Sequence, residues 1–350
     1  MTAANALDIV IDALRSEVAG AAPRATMAST AIVHEAAALA RQNKVLSLVQ
    51  RRLIAANERA SYLAEVATTM ATNSALLDEL CSLAEQLTSS NVAFLAIKGP
   101  LQQGLFHGDF FQRPSADLDI LVRPQQYRSA KHALLCAGYE SRTPSVWWRG
   151  VLGEEHLRRL APPFITVDLH HRVHQPGTPA PLDGEILFEN ALEVEVRGTK
   201  VPTLNASCGL LLCTISIAKA LYNREPTGAY VCDLYAGLMA AAPDAVNSFF
   251  TMARRAGLGG HASIALRLMS VVFEVPLELP HPSDAFGAVG DAELCRMIFL
   301  PRDPATVWPK RRAILWTLCE HQPLRYGREL VRVIRSEVMR HAFERSWLPA

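Results

Sequence analysis

No Cys-x-x-Cys pair, no surplus of either charge and no long apolar run occur in this 350-residue chain. The seven cysteines, Cys81, Cys136, Cys208, Cys213, Cys232, Cys295 and Cys319, are odd in number and scattered. That argues against both a disulfide framework and a thiolate zinc site, and it fits a reducing cytoplasm. With 35 basic and 34 acidic residues the formal net charge is +1, so no global field recruits nucleic acid or an anionic membrane, and any contact with a polyanion is local. The most apolar stretch, Leu210 to Leu221, contains Lys219 and runs for only about a dozen residues, where a bilayer span needs about 20. Asp8 and Asp12 lie within the apolar pattern of the N-terminus, which has no basic segment and does not read as a secretory signal. No membrane role is expected.

What is present is the composition of a soluble globular protein, 50% apolar and 20% charged, with length for about two domains. Residues 1–90 are rich in alanine and leucine at helical spacing. The last of these helices is expected to start at an Asn73 or Ser74 cap, run through Leu76, Leu80, Leu83 and Leu87, and stop at Ser89-Ser90-Asn91. A strand over 92–97, a short helix over 101–106, a strand ending at Val122 and a helix from Pro124 toward Gly138 follow. After an irregular stretch containing Trp147, Trp148 and Pro162-Pro163, Phe164 to His170 reads as another strand. From residue 204 helical patterns return, capped by Asn205 or Ser207, interrupted by proline-rich segments at 276–282 and 301–309, and ending in an arginine-rich tail from Arg325 to Arg345. The expected class is α+β, with a mixed-sheet core over 91–203 flanked by a helical N-terminal region, 1–90, and a helical C-terminal domain, 204–350.

The chemistry concentrates in Arg113-Pro-Ser-Ala-Asp117-Leu-Asp119-Ile-Leu-Val122. Strand alternation places Asp117 and Asp119 on one face, about 6–7 Å apart, with Leu118, Ile120 and Val122 toward a core. Such a pair is a hard-metal site in outline, suited to Mg²⁺ or to Mn²⁺ in its place; a pair of solvated strand-end carboxylates has the same sequence. Asp168 and His170 share a face of the later strand. His170, His171 and His174 have zinc-like spacing, but adjacent strand residues point to opposite faces. Arg113 and Arg172 are candidate phosphate contacts, Lys219 within an apolar helix reads as a snorkelling side chain, and Asp233, among apolar residues, needs a partner. Trp147 and Trp148 suit packing better than base stacking.

In combination, Leu95-Ala-Ile-Lys98-Gly99-Pro100, the Asp117-Leu-Asp119 strand, Gly138-Tyr139 and Val167-Asp168-Leu-His170 resemble the uncharacterised nucleotidyltransferase family of the DNA polymerase β-like superfamily. The resemblance covers roughly residues 75–240, with Lys219 and Asp233 where that family tends to carry a lysine and an aspartate, which makes Lys219 a candidate triphosphate contact beside Lys98, Gly99 and Arg113. It implies a nucleotidyltransferase core in which Asp117, Asp119 and Asp168 hold metal and the loop after the first strand cradles a nucleoside triphosphate, ATP by default. Nucleotidyl transfer to a hydroxyl or phosphate, with pyrophosphate leaving, would follow; the acceptor, whether small molecule, peptide or RNA end, is not legible. The chain departs from the superfamily's usual Gly-Ser at Lys98-Gly99-Pro100: Pro100 offers no backbone N–H, and Lys98 would supply charge instead. Two other readings stay open, a nucleotide-binding protein without turnover and a glycosyltransferase using Asp-x-Asp.

Overall fold

The computed structural model describes residues 5–24, 28–143, 146–275, 286 and 289–344. The expected interruption at 276–282 and the end of the arginine-rich tail at Arg345 lie outside these residues. Helices α1 (Ala6–Glu17), α2 (Thr30–Gln42) and α3 (Leu46–Leu53) come first, and a short 3-10 turn leads into α4 (Arg59–Ser89). The central region then alternates: β1 (Phe94–Ala96), α5 (Gly99–His107), β2 (Asp117–Val122), α6 (Tyr127–Cys136), β3 (Tyr139–Ser141), β4 (Glu154–Arg159), β5 (Thr166–His170), the single turn α7 (Ile186–Glu189), β6 (Ala191–Val196) and β7 (Thr199–Leu204). Helices α8 (Ala206–Asn223), α9 (Gly228–Ala240), α10 (Pro243–Arg255), α11 (Gly259–Phe273), α12 (Asp291–Phe299), α13 (Arg311–Leu318) and α14 (Pro323–Glu344) complete the described chain.

The strands form one mixed sheet of seven, in the order β3-β4-β5-β2-β1-β7-β6. β2 runs parallel to β5 and antiparallel to β1, and β1 runs parallel to β7. The α+β class is therefore as expected, with more strands than the sequence reading assigned. The β6–β7 hairpin turns at Arg197-Gly198, both at positive φ (51° and 86°), the two-residue geometry whose twist matches the flanking strands. Its alternating Leu-Glu-Val-Glu-Val signal at 192–196 was present in the chain.

One face of the sheet rests on α4 and α6, where Leu76, Leu80, Leu83 and Leu87 meet Phe94, Ile120, Val122 and Val167. The other face meets the helical body built around α8 and α11, and α1, α2 and α3 pack into that same body. Arg15 of α1 donates to the carbonyls of Val271 and Val272, and the Asn43 amide donates to that of Phe299. Helix α8 begins at the expected Asn205 cap, whose side chain accepts from the Cys208 N–H. At 18 residues it is longer than the apolar run suggested and has the length and composition to cross a membrane, but 83% of it is buried inside the protein, as a core helix is.

The start of α4 differs from expectation. The helix begins at Arg59, and Asn73 lies in its interior, fully buried. Its amide donates to the carbonyls of Phe110 (2.8 Å) and Arg113 (2.9 Å), and its oxygen accepts from the Ser115 N–H (3.0 Å). A side chain suited to capping because it mimics backbone groups here satisfies the backbone of a distant loop instead. Asn73→Ala strands those three loop groups and should lower stability by about 1–3 kcal/mol, read as a lower urea midpoint at unchanged slope. Asn73→Asp, which keeps the acceptor and loses both donors, should also be destabilised.

Candidate active site

Along β2 the side chains Leu121, Asp119 and Asp117 form one stripe, running from the helical core outward to an open cleft. The parallel register with β5 sets Asp119 directly opposite Asp168 and Asp117 opposite Thr166. The antiparallel register of β4 then sets His156 opposite Asp168 and Glu154 opposite His170. Like charges opposed across strands repel, so Asp119 and Asp168 each need a positive or hydrogen-bonding neighbour, and each has at least one. The His170 Nε2–H donates to Asp119 Oδ1 at 2.8 Å, the Lys98 Nζ stands 3.6 Å from the same oxygen, and His156 Nδ1 bonds Asp168 Oδ1. Behind them, His170 Nδ1 lies 3.6 Å and Lys219 Nζ 3.9 Å from Glu154 Oε2.

These placements separate the carboxyls electrostatically. Burial raises Asp119, but Lys98 and the His170 hydrogen bond outweigh it and hold the group well below the usual carboxylate range. Asp117 lacks such a partner: burial, then the charges of Asp119 and Asp168, push it up to about 6 against the lowering pull of Lys98 and Lys44. Burial lowers Lys98, yet Asp119 more than compensates and keeps the ammonium charged. The hydrogen bond to Asp168 raises His156 against burial.

Among the described residues, Asp119, Asp168 and His170 form the group whose ligand atoms lie within 4.8 Å of one another and can share one metal ion. Asp117 falls outside that spacing, because it sits one register step nearer the cleft mouth, opposite Thr166. The donor set of two carboxylates and an imidazole suits a divalent cation, and a positive ion there would also offset the mutual repulsion of Asp119 and Asp168. His170 and His171 diverge, as strand alternation required, whereas His170 and His174 line one narrow pocket. His171 Nε2 donates to the Arg149 carbonyl and the ring meets Tyr127 edge-on, while burial depresses His174 to about 3.

Lys98 is extended (φ −147°) and Gly99 turns at φ +71°, a conformation costly for any side chain, before Pro100 opens α5. This turn aims Lys98 at Asp119 and lines a cleft of about 320 Å³ with Gly99, Asp117, Gln102 and Tyr230. Arg113 lines the same cleft, but Asp233 takes both terminal nitrogens of its guanidinium, at 2.5 Å each, and also bonds His107 at 2.9 Å. Asp233 thus joins α9 to α5 and to the loop before β2, and a phosphate contact by Arg113 would have to share that pair. Lys219 lines a separate narrow pocket with Lys98, His170 and Glu154. Trp148 packs edge-on against His156, and Trp147 donates to the Ser336 carbonyl, so both indoles serve packing. His156 and Glu154 went unassigned from sequence, although Glu154-Glu155-His156 shows alternation that puts 154 and 156 on one strand face.

Residues 30–274 match a protein family described as uncharacterised nucleotidyltransferase, well over half of the chain. The chain belongs to that nucleotidyltransferase family. No curated protein matches it. Solved structures that are similar include the crystal structure of an antigenic nucleotidyltransferase-like protein from Paracoccidioides brasiliensis, 17% identical, with 57% of this chain and 97% of that chain covered at a TM-score of 0.34. For this member of the family the raised Asp117 carboxyl gives a pH test. The metal-free folded state retains a proton on Asp117 that the unfolded chain releases near pH 4, so this group's contribution to stability falls as pH rises from there through about 6. Asp117→Asn should therefore melt at or above the wild-type temperature in chelator above pH of about 6, and the difference should vanish below about pH 4; a large loss at all pH values would make Asp117 a structural residue.

Proposed function

We propose that this protein transfers a nucleotidyl group from a nucleoside triphosphate, ATP by default, to a hydroxyl or phosphate of an acceptor, releasing pyrophosphate. The observation that supports this most directly is the in-register opposition of Asp119 and Asp168, with Asp117 one step nearer the cleft mouth. Asp117, Asp119 and Asp168 would hold Mg²⁺, or Mn²⁺ in its place. Bound there, the metal supplies charge stabilisation for the attacking and leaving oxygens.

The chain's own groups account for the rest. Lys98 is held charged beside Asp119 and supplies positive charge to the phosphates in place of the usual serine hydroxyl. Gly99 lets the backbone turn so that the first turn of α5 faces the cleft. His170 and His156 fix the orientation of Asp119 and Asp168, as partners of ligating carboxylates do. Asp168 would accept the proton of the attacking hydroxyl. Arg113, locked by Asp233, keeps the loop before β2 in place, and Lys219 adds positive charge from behind Glu154. A reducing, cytoplasmic setting belongs to this reading, on the odd and scattered cysteines of the sequence.

Pyrophosphate release from each of the four NTPs, measured with Mg²⁺ or Mn²⁺ and with small-molecule, peptide and RNA extracts, tests the reading. Release should require one nucleotide, one extract and the metal, and Asp117→Asn/Asp119→Asn should lower it roughly 100-fold or more. Asp168→Ala should reduce turnover more than nucleotide affinity. Tight NTP binding with no release under any condition would replace this reading with that of a nucleotide-binding protein without turnover, which the missing N–H of Pro100 favours.

A further inference from the structure

A second cleft, of about 770 Å³, opens beside the one lined by Asp117 and Asp119. Its walls are the end of α2, helix α3, the N-terminal half of α4 and the segment 109–114. The two clefts share Lys44, Arg113 and Pro114, so they are continuous at that point. None of the metal-binding candidates lines the second one.

The lining narrows what fits. Arg41 is paired with Glu65 through both ends of its guanidinium, at 2.9 and 3.2 Å, and Arg113 with Asp233. Asp109 accepts from the Phe111 N–H at 2.8 Å. Lys44 makes no ion pair among the described residues and is exposed at the junction of the clefts, held at φ 55° next to the buried, doubly bonded Asn43. One unpaired cation suits at most a single negative charge, and the strip of phosphate contacts that a nucleic-acid end requires is missing from this lining.

Leu46, Tyr62, Val66 and Phe111 give the cleft an apolar and aromatic wall. Between them lie hydroxyls with a fixed direction. Thr68 and Thr69 donate to the α4 carbonyls of Ala64 and Glu65, at 2.9 and 3.0 Å, which leaves their oxygens as acceptors toward the cleft. A ligand hydroxyl donating to them is the complementary partner. The volume is that of a small-molecule site.

We propose that this second cleft is the acceptor subsite, and that it takes an amphipathic small molecule carrying several hydroxyls and no more than one negative charge, with the reacting hydroxyl passing Lys44 toward Asp117 and Asp168. This rests on the nucleotidyl-transfer reading and names its acceptor class. The cleft belongs to elements outside the metal-bearing strands, so the two can be perturbed separately.

The test uses the full chain with Mn²⁺ and four probes: 4-nitrophenyl β-glucoside, octyl β-glucoside, a serine-containing heptapeptide and a single-stranded RNA with a free 3′ hydroxyl. Binding is read by calorimetry and labelling from radioactive ATP, while a fluorescent ATP analogue reports the metal cleft. Saturable binding of a glucoside, weakened at least tenfold by Thr69→Trp or by Thr68→Arg with binding of the ATP analogue unchanged, is the expected result. Glucoside binding that both variants leave intact, no saturable binding of either glucoside, or preferred binding of the RNA or the peptide overturns the acceptor subsite. Labelling that survives Asp119→Asn overturns the nucleotidyl-transfer reading instead, and binding in the second cleft still reports on the subsite by itself.

Discussion

Two carboxylates facing each other across adjacent parallel strands are unfavourable, and much of the site is arranged around that fact. Asp119 and Asp168 are opposed by the register of β2 and β5, and no local choice of rotamer removes their mutual repulsion. The chain answers with two cationic or hydrogen-bonding groups for Asp119 and one for Asp168. Lys98 and His170 reach Asp119, and His156 reaches Asp168. Each of these depends on a different element: the glycine turn after β1, the end of β5 and the neighbouring strand β4. Asp117, which lines the cleft, is left raised, by burial first and then by the charges of Asp119 and Asp168.

The same need for neutralisation organises the outer parts of the site. Arg113 would be a mobile loop cation if unpaired; Asp233 fixes it and ties α9 to α5 through His107. The loop that carries Arg113 is further held by Asn73 and by Gln103, whose side-chain oxygen accepts from the Arg113 N–H. Charge placement and loop placement are thus one arrangement, built from a helix that precedes the sheet and a helix that follows it.

Much of this was legible in the chain, for reasons that differ by element. The Asp117-Leu-Asp119 strand was readable because period-2 alternation is strictly local, and the burial of Leu118 and Ile120 follows it. The Asn205 cap was readable because its partner lies three residues away. Asn73 has the same residue type and was misread, because its partners lie 37 to 42 residues further along and leave no local trace. His156 and Glu154 were hidden for a related reason: their role comes from the register of β4 against β5, which only the folded sheet supplies. The pairing of Arg113 with Asp233 spans 120 residues, and sequence could say only that a buried aspartate requires some partner.

Helix α4 serves both ends of this arrangement. Its second half lies under the sheet through Leu76 to Leu87, and its first half forms a wall of the larger cleft. As a continuous helix of 31 residues it spans roughly 46 Å at 1.5 Å per residue, and the two halves share one helical phase. Inserting a single residue between Thr69 and Leu76 would rotate the cleft wall by about 100° relative to the sheet and turn Thr68 and Thr69 away from the cleft. A chain of this design can diversify its cleft by substitution along α4 or by changing the length of the connection before Arg59, whereas insertions and deletions within the helix carry a rotational penalty that substitutions do not.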